Sequence, residues 1–426
     1  MAKVIIIGGG WAGCAAAITA KKAGADVTIL EKTDLLLGLG NVGGIMRNNG
    51  RFTASEEIIA LGASELIAIT DRVARHKNVN FPGHKHASLY DVIKVEPRVR
   101  KKITDMGIEI MLETRAIDVN KTGNKIKGIV LADETVVEGD VFIETTGSTG
   151  PMGNCLRYGN GCCMCILRCP SYGPRVSISK RAGVEDILGQ RADECYGAFS
   201  GACKLAKNSL SSDIVEKLDK DGVVIVAIPQ EDINMGKLGH KVCQQYALKE
   251  FAENVILLDT GYAKLMTSYY PLDKLRKIPG FEDARYDDPY SGGKGNSVRY
   301  LSMAPRNNAL KVEGLDNLFC AGEKSGLFVG HTEAIVTGSL AGHNSVCLYL
   351  GIPLLELPRT LALGDLIAYA NEAIKTPDGL KNRYTFSGGK YFTRMVEKGL
   401  YTLDIDEIKL RVKRVGLEGI YEEKLL

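Results

Sequence analysis

The 426-residue chain lacks the long apolar runs of membrane-spanning helices, since no stretch approaches the roughly eighteen uninterrupted apolar residues that such a helix needs. It also lacks a strong charge excess, because 54 lysines and arginines oppose 51 aspartates and glutamates for a net charge of +3. So small an excess does not by itself indicate a nucleic-acid-binding face. The apolar run after Lys3 is too short for a signal peptide. We therefore expect a cytoplasmic protein with no membrane segment.

Cysteine is scarce, with eleven in the chain, and five of these crowd into the stretch "CLRYGNGCCMCILRCP" at 155–170. Disulfides are rare in the cytoplasm, so clustered cysteines there favour metal binding or catalysis over structural cross-links. Packing as small hydrophobic side chains is the simplest alternative. The composition alone does not separate these possibilities.

The most informative stretch is the N-terminal "KVIIIGGGWAGCAAAITAKKAGADVTILEK". It predicts a buried strand over 3–7, a small-residue helix over 12–23 and a second strand over 26–30. The glycines between the first strand and the helix fall on the G-x-G-x-x-G pattern of dinucleotide-binding folds, as Gly8, Gly10 and Gly13. Because strand, glycines, helix and strand occur in order, the stretch predicts a dinucleotide site rather than a glycine-rich turn.

Each element of this unit has a physical task. The first glycine makes the tight turn, the second lets the backbone approach a pyrophosphate, and the third allows close helix–strand packing. Glu31, at the end of the second strand, is placed to reach the adenosine ribose hydroxyls. Trp11 sits in the turn as a packing residue. The cofactor-binding residues expected in this unit are Gly8, Gly10, Trp11, Ala12, Gly13, Glu31 and Lys32.

The next stretch, "GLGNVGGIMRNNG" at 38–50, favours FAD over NAD. Two glycine clusters directly after the second strand are typical of a loop that runs along the ring and ribityl chain of a flavin, whereas an NAD-type fold usually proceeds to another helix and strand. Apolar residues are interleaved with the glycines, which argues against a surface loop. We expect Gly38, Gly43 and Gly44 to contact the cofactor.

Two later segments fit the same cofactor. "VVEGDVFIETTGSTG" resembles the A-T-G element of the glutathione-reductase-like FAD fold, which places Thr146 and Gly147 beside the cofactor. "LDNLFCAGEKSGLFVGHTEAIVTGSLAGHNS" predicts a strand over 318–321, a turn at Gly322 and Glu323, and a helix over 332–350. In this fold class the acid after the turn hydrogen-bonds the ribityl chain. The N-terminus of the helix, at Thr332, would direct its positive end toward the flavin.

This last segment resembles the C-terminal flavin motif of the glucose-inhibited division protein A family and of its relative, the folate- and FAD-dependent tRNA (uracil-5-)-methyltransferase. Asn317 replaces the first glycine of the motif, Glu323 replaces its glutamine, and 331–333 cover its aromatic and acidic positions. The N-terminal half is similar to uncharacterised bacterial FAD-dependent oxidoreductases. The resemblance implies FAD and leaves the substrate open. It covers roughly residues 1–50, 88–150 and 300–350.

The cysteine stretch contains C-x-x-C-x-x-x-C followed by proline, an ending typical of bacterial ferredoxins. It predicts a 4Fe-4S cluster with the ligands Cys155, Cys162, Cys165 and Cys169. Cys163, Cys195 and Cys203 are alternatives to Cys155 as the fourth ligand. Redox thiols or a nucleophilic cysteine are the rival hypothesis, with Cys162 and Cys163 as the catalytic candidates. Arg168, Arg175 and Lys180 make the segment basic, which would suit an anionic substrate or an acidic electron-transfer partner, and a solvated basic face is the default expectation. His331 is the candidate proton donor beside the flavin or the substrate.

We predict an α/β fold with a Rossmann-like, glutathione-reductase-type FAD-binding domain, an inserted substrate domain and a C-terminal helical appendage. The FAD-binding domain is expected to be divided between 1–150, of which about 51–100 is partly inserted, and 301–360. The cysteine-rich segment and the substrate domain are expected at 151–300, and the helical domain at 361–426.

Beyond residue 50 no second strand–G-x-G-x-x-G–helix unit appears, so we expect no dedicated NAD(P)H domain. The leading hypothesis is an FAD-dependent oxidoreductase whose cysteine stretch passes electrons to or from the flavin. One alternative is an FAD-dependent tRNA- or rRNA-modifying enzyme of the folate-dependent uracil methylation type, against which stands the weak net charge. Another is a non-catalytic flavin electron carrier. The expected partners are a small-molecule substrate or a redox protein, and a second copy of the chain in a homo-oligomer.

Overall fold

The computed structural model describes residues 1–147, 169–199, 203–267, 270–287 and 298–426. Strands in the described residues are β1 Lys3–Ile7, β2 Asp26–Leu30, β3 Ile45–Met46, β4 Ala74–Phe81, β5 His84–Tyr90, β6 Glu109–Met111, β7 Ala116–Thr122, β8 Lys125–Leu131, β9 Val136–Glu138, β10 Val141–Glu144, β11 Ile187–Leu188, β12 Ala198–Phe199, β13 Cys203–Leu205, β14 Val223–Ala227, β15 Asn254–Asp259, β16 Ala263–Leu265, β17 Val298–Arg299, β18 Ser302–Met303 and β19 Leu318–Cys320.

Helices in the described residues are α1 Trp11–Lys22, α2 Arg51–Ala60, α3 Glu65–Arg72, α4 Val92–Asp105, α5 Cys169–Tyr172, α6 Ile178–Arg181, α7 Ser212–Asp221, α8 Glu250–Glu253, α9 Leu272–Leu275, α10 His331–Leu350, α11 Ala362–Ala373, α12 Pro377–Leu380, α13 Gly389–Glu397 and α14 Ile405–Arg414. None of these described helices is both long enough and apolar enough to cross a membrane.

A five-stranded parallel sheet, in the order β19-β10-β1-β2-β6, forms the centre of the fold. Its strands come from widely separated regions of the sequence, and β1 pairs in parallel with both β2 and β10. The middle strands are short apolar runs because both faces of such a sheet are covered. This arrangement confirms the predicted α/β class and the Rossmann-like FAD-binding fold.

Helices α1 and α10 pack against each other at very close range over this sheet. A side-chain carbon built at Gly338 would lie 2.2 Å from the Ala12 carbonyl oxygen, and one built at Gly342 would lie 2.3 Å from the Ala16 carbonyl oxygen. The small residues that the sequence places in both helices therefore allow the two backbones to approach. Their contact brings the N-termini of α1 and α10 to the same edge of the sheet.

A second, antiparallel sheet with the order β13-β16-β15-β14 lies in the region predicted to bind substrate. It has its own apolar core, in which Leu257 is paired across the strands with Leu265 and both are buried. Three-stranded sheets β3-β5-β4 and β7-β8-β9 complete the main sheets of the described residues. The segment "DGVVIVAIPQED", which reads as a strand in the sequence, supplies β14.

The predicted tail is helical and is held to the rest of the chain by buried carboxylates. Glu57 of α2 accepts hydrogen bonds from the backbone N–H groups of Ala362 and Leu363, at 3.0 and 3.1 Å, and so caps α11. Asp365 pairs with Arg394 of α13 at 2.8 Å. The tail therefore packs as an integral element of the fold.

Helix ends differ from the sequence predictions by one residue. Asp91 and Met106 are the caps of α4, and the Asp91 carboxylate accepts the backbone N–H of Ile93 at 3.0 Å. Helix α10 begins at His331 rather than Thr332, and β19 ends at Cys320 rather than Ala321. Such shifts arise because capping geometry, which composition does not reveal, decides where helical dihedral angles start.

Candidate functional site

The carboxyl ends of the parallel strands open into a cleft of about 490 Å³, a size that suits a bound organic cofactor or substrate. Open α/β sheets bind their ligands at this edge. The predicted cofactor residues that line the cleft are Gly8, Gly10, Trp11, Ala12, Glu31, Lys32, Gly38, Gly43, Thr146, Gly147, Gly322 and Glu323. His331, the predicted proton donor, lines it as well. Three further predicted residues, Gly13, Gly44 and Thr332, do not belong to the lining.

The glycine-rich turn is built as its pattern predicts. A side-chain carbon on Gly13 would lie 1.9 Å from the Gly8 carbonyl oxygen, so only glycine permits this packing of helix on strand. Gly8 itself has φ of +108°. At Gly10, by contrast, a side-chain carbon would meet no atom within 4 Å. The open space at Gly10 faces the cleft and is the cradle where a phosphate can approach the backbone.

Glu31 has a task that the sequence did not predict. One carboxylate oxygen accepts the backbone N–H of Gly9 at 2.7 Å, and the other accepts both the N–H and the hydroxyl of Thr33 at 2.8 Å. Its side chain thus fastens the glycine turn to the end of β2. The expected contact with a ribose stays a prediction.

The second glycine-rich segment packs against the start of α10. A side-chain carbon on Gly43 would lie 1.7 Å from a ring carbon of His331, and one on Gly44 would lie 2.3 Å from a methyl group of Thr260. The His331 ring lies 5.6 Å from the Trp11 ring, centroid to centroid. The glycines of this loop therefore bring the loop, Trp11 and the α10 N-terminus together at one wall of the cleft.

His331 is uncharged at neutral pH. Burial lowers its pKa well below the usual value, and the nearby positive charges of Arg51, Lys264 and Arg299 lower it further. Its Nδ1 lies 3.2 Å from the hydroxyl of Tyr90. A neutral imidazole can still exchange a proton with a neighbour, and the predicted role of His331 as proton donor stays a prediction.

Two other buried histidines, His84 and His343, have pKa values lowered by burial to about 3 and about 4. Each is neutral in the folded chain and charged in the unfolded chain below pH 6.5. These two groups therefore do not change the free energy of unfolding above pH 6.5. Below that pH they lower it, by about 1.4 kcal/mol per pH unit for each histidine, until the pH reaches the folded pKa.

We expect His343→Phe to reduce this acid sensitivity by about 1.4 kcal/mol per pH unit between about pH 6 and 4. The phenyl ring can keep the edge contact with Tyr421, whose centroid is 5.6 Å away. Urea unfolding at several pH values measures the slope. The exposed His240, changed to Gln, is the matched control and should leave the slope unchanged. An unaltered slope in His343→Phe would contradict the prediction.

Two buried ion pairs lie beside the cleft. Arg51 pairs with Glu333 of α10, Nε to Oε1 at 3.1 Å, with both side chains almost fully buried. Glu323 pairs with Arg299 of β17. Glu323 thus lies in the cleft as predicted, and its carboxylate is held by a cation that the sequence analysis did not single out.

Arg175 is not on the solvated basic face that is the default expectation for its segment. It lines the cleft, is only 5% exposed, and none of its three guanidinium nitrogens has a hydrogen-bond partner among the described residues. Burial lowers its pKa, while Glu144, Asp186 and Glu323 raise it. A buried cation without a hydrogen-bond partner is costly, so the site favours an anion in the cleft.

A protein-family model fits this arrangement over most of the chain. The model of the glucose-inhibited division protein A family matches residues 3–232 and 234–353. The chain belongs to this family. The match includes all five strands of the parallel sheet and the whole of α10.

Individual relatives of the family are more distant. The tRNA uridine 5-carboxymethylaminomethyl modification enzyme MnmG of Chlorobaculum tepidum is 28% identical over 172 residues, which are 40% of this chain and only 25% of that protein. Two crystal forms of Aquifex aeolicus GidA superpose with a TM-score of 0.65 at 16% identity, over 99% of this chain and 74% and 76% of those chains. At that identity the likeness establishes the fold alone.

The prediction for the cysteine stretch falls mostly outside the described residues. Cys155, Cys162, Cys163 and Cys165 lie outside the described residues, and Cys169 begins α5 with a partly exposed side chain. Among the residues that the structure describes, no group of three or more His, Cys, Asp or Glu side chains could hold a metal ion. The 4Fe-4S cluster and the thiol roles therefore stay predictions.

Thr146 and Thr332 complete the set of predicted cofactor residues. The Thr146 hydroxyl donates to Oε1 of Glu144 at 2.9 Å, which orders the chain as it leaves β10 beside Gly147. Thr332 is buried, and its hydroxyl has no partner among the described residues. The sequence does not predict the hydrogen bond of Thr146 or the burial of Thr332, because both depend on which side chains the fold brings together.

Proposed function

We propose that this protein is an FAD-dependent enzyme that modifies tRNA. Membership of the glucose-inhibited division protein A family carries the proposal, since the family match spans the whole parallel sheet and its cleft. The relative from Chlorobaculum tepidum is named as a tRNA uridine modification enzyme, which gives the substrate class. This function was the alternative in the sequence analysis, and the family favours it over the electron-transfer hypothesis.

The residues of the cleft fit FAD. The open cradle at Gly10 and the N-terminus of α1 would receive the pyrophosphate, because helix N-termini present free N–H groups to anions. The Arg175 guanidinium would gain the hydrogen-bond partner that the described residues do not provide. Gly330 and His331 at the N-terminus of α10 would line the flavin end. When bound, FAD supplies two-electron redox chemistry at its ring system.

The remaining task of the chain is to hold the substrate beside that cofactor. The Glu323–Arg299 and Arg51–Glu333 pairs keep the charged groups of this wall in place. The buried, neutral His331 and the Tyr90 hydroxyl form a polar pair that can hold or pass a proton at Nδ1. Preorganised groups of this kind bind and orient a reactant without rearranging during the reaction.

Deletion of the gene tests the proposal. We expect one modified nucleoside to disappear when tRNA of the deletion strain is digested and analysed by mass spectrometry. The wild-type gene should restore that nucleoside, and a Gly10→Val gene should not, because that side chain would fill the cradle. An unchanged nucleoside profile in the deletion strain, with the protein normally expressed in the parent, would contradict a role in tRNA modification.

A second candidate is an oxidoreductase whose cysteine segment exchanges electrons with the flavin. The observation that favours it is the position of Cys169, whose helix α5 leads directly into Pro174 and Arg175 of the cleft wall. Anaerobic purification followed by iron, sulfide and flavin analysis separates the two candidates. About four irons and four sulfides per flavin would favour this candidate, whereas flavin alone would favour the tRNA-modifying enzyme without a cluster.

A further inference from the structure

The region of the cleft formed by the antiparallel sheet gathers lysine side chains. Lys204 of β13 lies directly opposite Lys264 of β16 in the antiparallel register, and both line the cleft. Residues that face each other in this way project on the same side of the sheet, and like charges in such a pair destabilise it. The positive charge that this pair concentrates in the cleft favours the binding of an anion.

Lys241 adds a third ammonium group to the same wall. Lys241 and Lys264 are only 4% and 5% exposed. Lys241 donates to the carbonyl of Met266 at 3.0 Å, and Lys264 donates to the carbonyl of Val42. Burial and the neighbouring lysines lower the pKa of Lys264 to about 7, and burial lowers the pKa of Lys241 to about 8.

Two carboxylates beside the cleft are already paired with arginines. Glu333 pairs with Arg51, and Glu323 pairs with Arg299. Asp287 also lines the cleft, but it is exposed and contacts Lys204 through its backbone N–H. Within the described residues, neither Lys241 nor Lys264 forms an ion pair. Each ammonium therefore keeps donors for a ligand, at a desolvation cost of several kcal/mol that an anion would offset.

Gln245 adds a different kind of contact to this wall. It is 4% exposed and lines the cleft, and its side-chain oxygen has no hydrogen-bond partner among the described residues. A buried amide oxygen without a partner favours a ligand that brings an N–H or O–H donor. The wall thus offers cations for an anionic group and an acceptor for a donor on the same molecule.

We propose that Lys241 and Lys264, together with Lys204, bind an oxyanion of the substrate, a phosphate or a carboxylate, and that Gln245 accepts a hydrogen bond from the same molecule. This inference rests on the proposed function, because it places the substrate in the cleft that the flavin occupies. It assigns the antiparallel sheet as the substrate-recognition wall and the parallel sheet as the cofactor wall.

Titration calorimetry on the full-length protein, as purified with its flavin, tests the proposal. Inorganic phosphate and acetate are the two probes, in a buffer that contains neither group. We expect one of them to bind, and Lys264→Met and Lys241→Met each to weaken that binding about 10- to 100-fold, since each removes a charge-assisted hydrogen bond. Preference for phosphate would identify a phosphoryl group, and preference for acetate a carboxylate.

Lys127→Met is the matched control, because this exposed lysine of β8 lies away from the cleft, and it should bind the probe like the wild type. Lys264→Arg should restore some of the affinity. Thermal unfolding should show that Lys264→Met is at least as stable as the wild type, because it removes a buried charge. Binding of neither anion by the wild type, or equal binding by the lysine variants, would overturn the proposal.

The same samples separate this inference from the proposed function. Flavin content and tRNA analysis report on the proposed function, and calorimetry of the probe anions reports on the lysine site. Loss of anion binding in a variant that retains its flavin supports the lysine site whatever the tRNA analysis finds. Retained anion binding in that variant overturns the lysine site even if tRNA modification is established.

Discussion

Gly10→Val is expected to yield a folded protein that does not retain FAD. Gly10 has φ of −68°, which valine adopts without strain, and a side chain there meets no atom of the described chain within 4 Å. It would instead fill the space where the pyrophosphate approaches the backbone. Loss of two charge-assisted hydrogen bonds corresponds to an FAD affinity lower by a factor of about 100 or more. Flavin absorbance of the purified variant measures the retained cofactor.

Gly13→Val is the informative counterpart of this variant. Its side chain would collide with the Gly8 carbonyl, which is 1.9 Å from the first added carbon, so we expect a loss of stability of the whole fold. Circular dichroism and thermal unfolding should therefore distinguish the two glycines, with Gly10→Val close to the wild-type apoprotein and Gly13→Val much less stable. Normal FAD content in Gly10→Val would show that the cradle is not the phosphate site.

Arg175→Met is expected to weaken FAD binding by about 100-fold while the apoprotein becomes no less stable. In the absence of an anion the guanidinium is buried without a hydrogen-bond partner in the described chain, so its replacement by an apolar side chain relieves a desolvation cost. In the proposed FAD complex the same replacement would remove a charge-assisted contact between the guanidinium and a phosphate. Fluorescence titration of apoprotein with FAD, beside thermal unfolding of both forms, measures the two effects.

Lys180→Met provides the control for Arg175. Lys180 belongs to the same basic segment but is exposed and pairs with Glu185 at 2.9 Å, so its loss should change neither FAD affinity nor stability by a measurable amount. If Arg175→Met bound FAD like the wild type, or if it destabilised the apoprotein strongly, the guanidinium would have a purely structural role. Either result would remove Arg175 from the cofactor site.

The sequence predicted the strand and the helix beside the glycine turn because their signals are local. Gly8, Gly10 and Gly13 have their roles fixed by neighbours within a few residues, and the apolar strand before them and the small-residue helix after them have strong periodicity. The structure contains both elements, with β1 at Lys3–Ile7 as predicted and α1 shifted by one residue. The resemblance of the segment around Glu323 to the glucose-inhibited division protein A family is confirmed by the family match.

The proposed substrate-recognition wall was not predictable in the same way. Lys204, Lys241 and Lys264 lie up to 60 positions apart and carry no motif, and only the pairing of β13 with β16 places two of them face to face. Arg175 looked like one of several basic residues in a polar segment. Its burial depends on the packing of 174–176 into the cleft, which is a long-range property that local composition does not record.

By itself, the sequence determined the α/β class, the glycine turn and, through the resemblance of its motifs, the family, because the first two follow from hydrophobic periodicity and from short spacings that the backbone must satisfy. Only the tertiary structure decided which charges lie in the cleft, which of them are paired, and that Glu31 braces the turn. Those properties depend on burial and on partners brought from distant regions of the chain, where desolvation sets the cost of every unpaired charge.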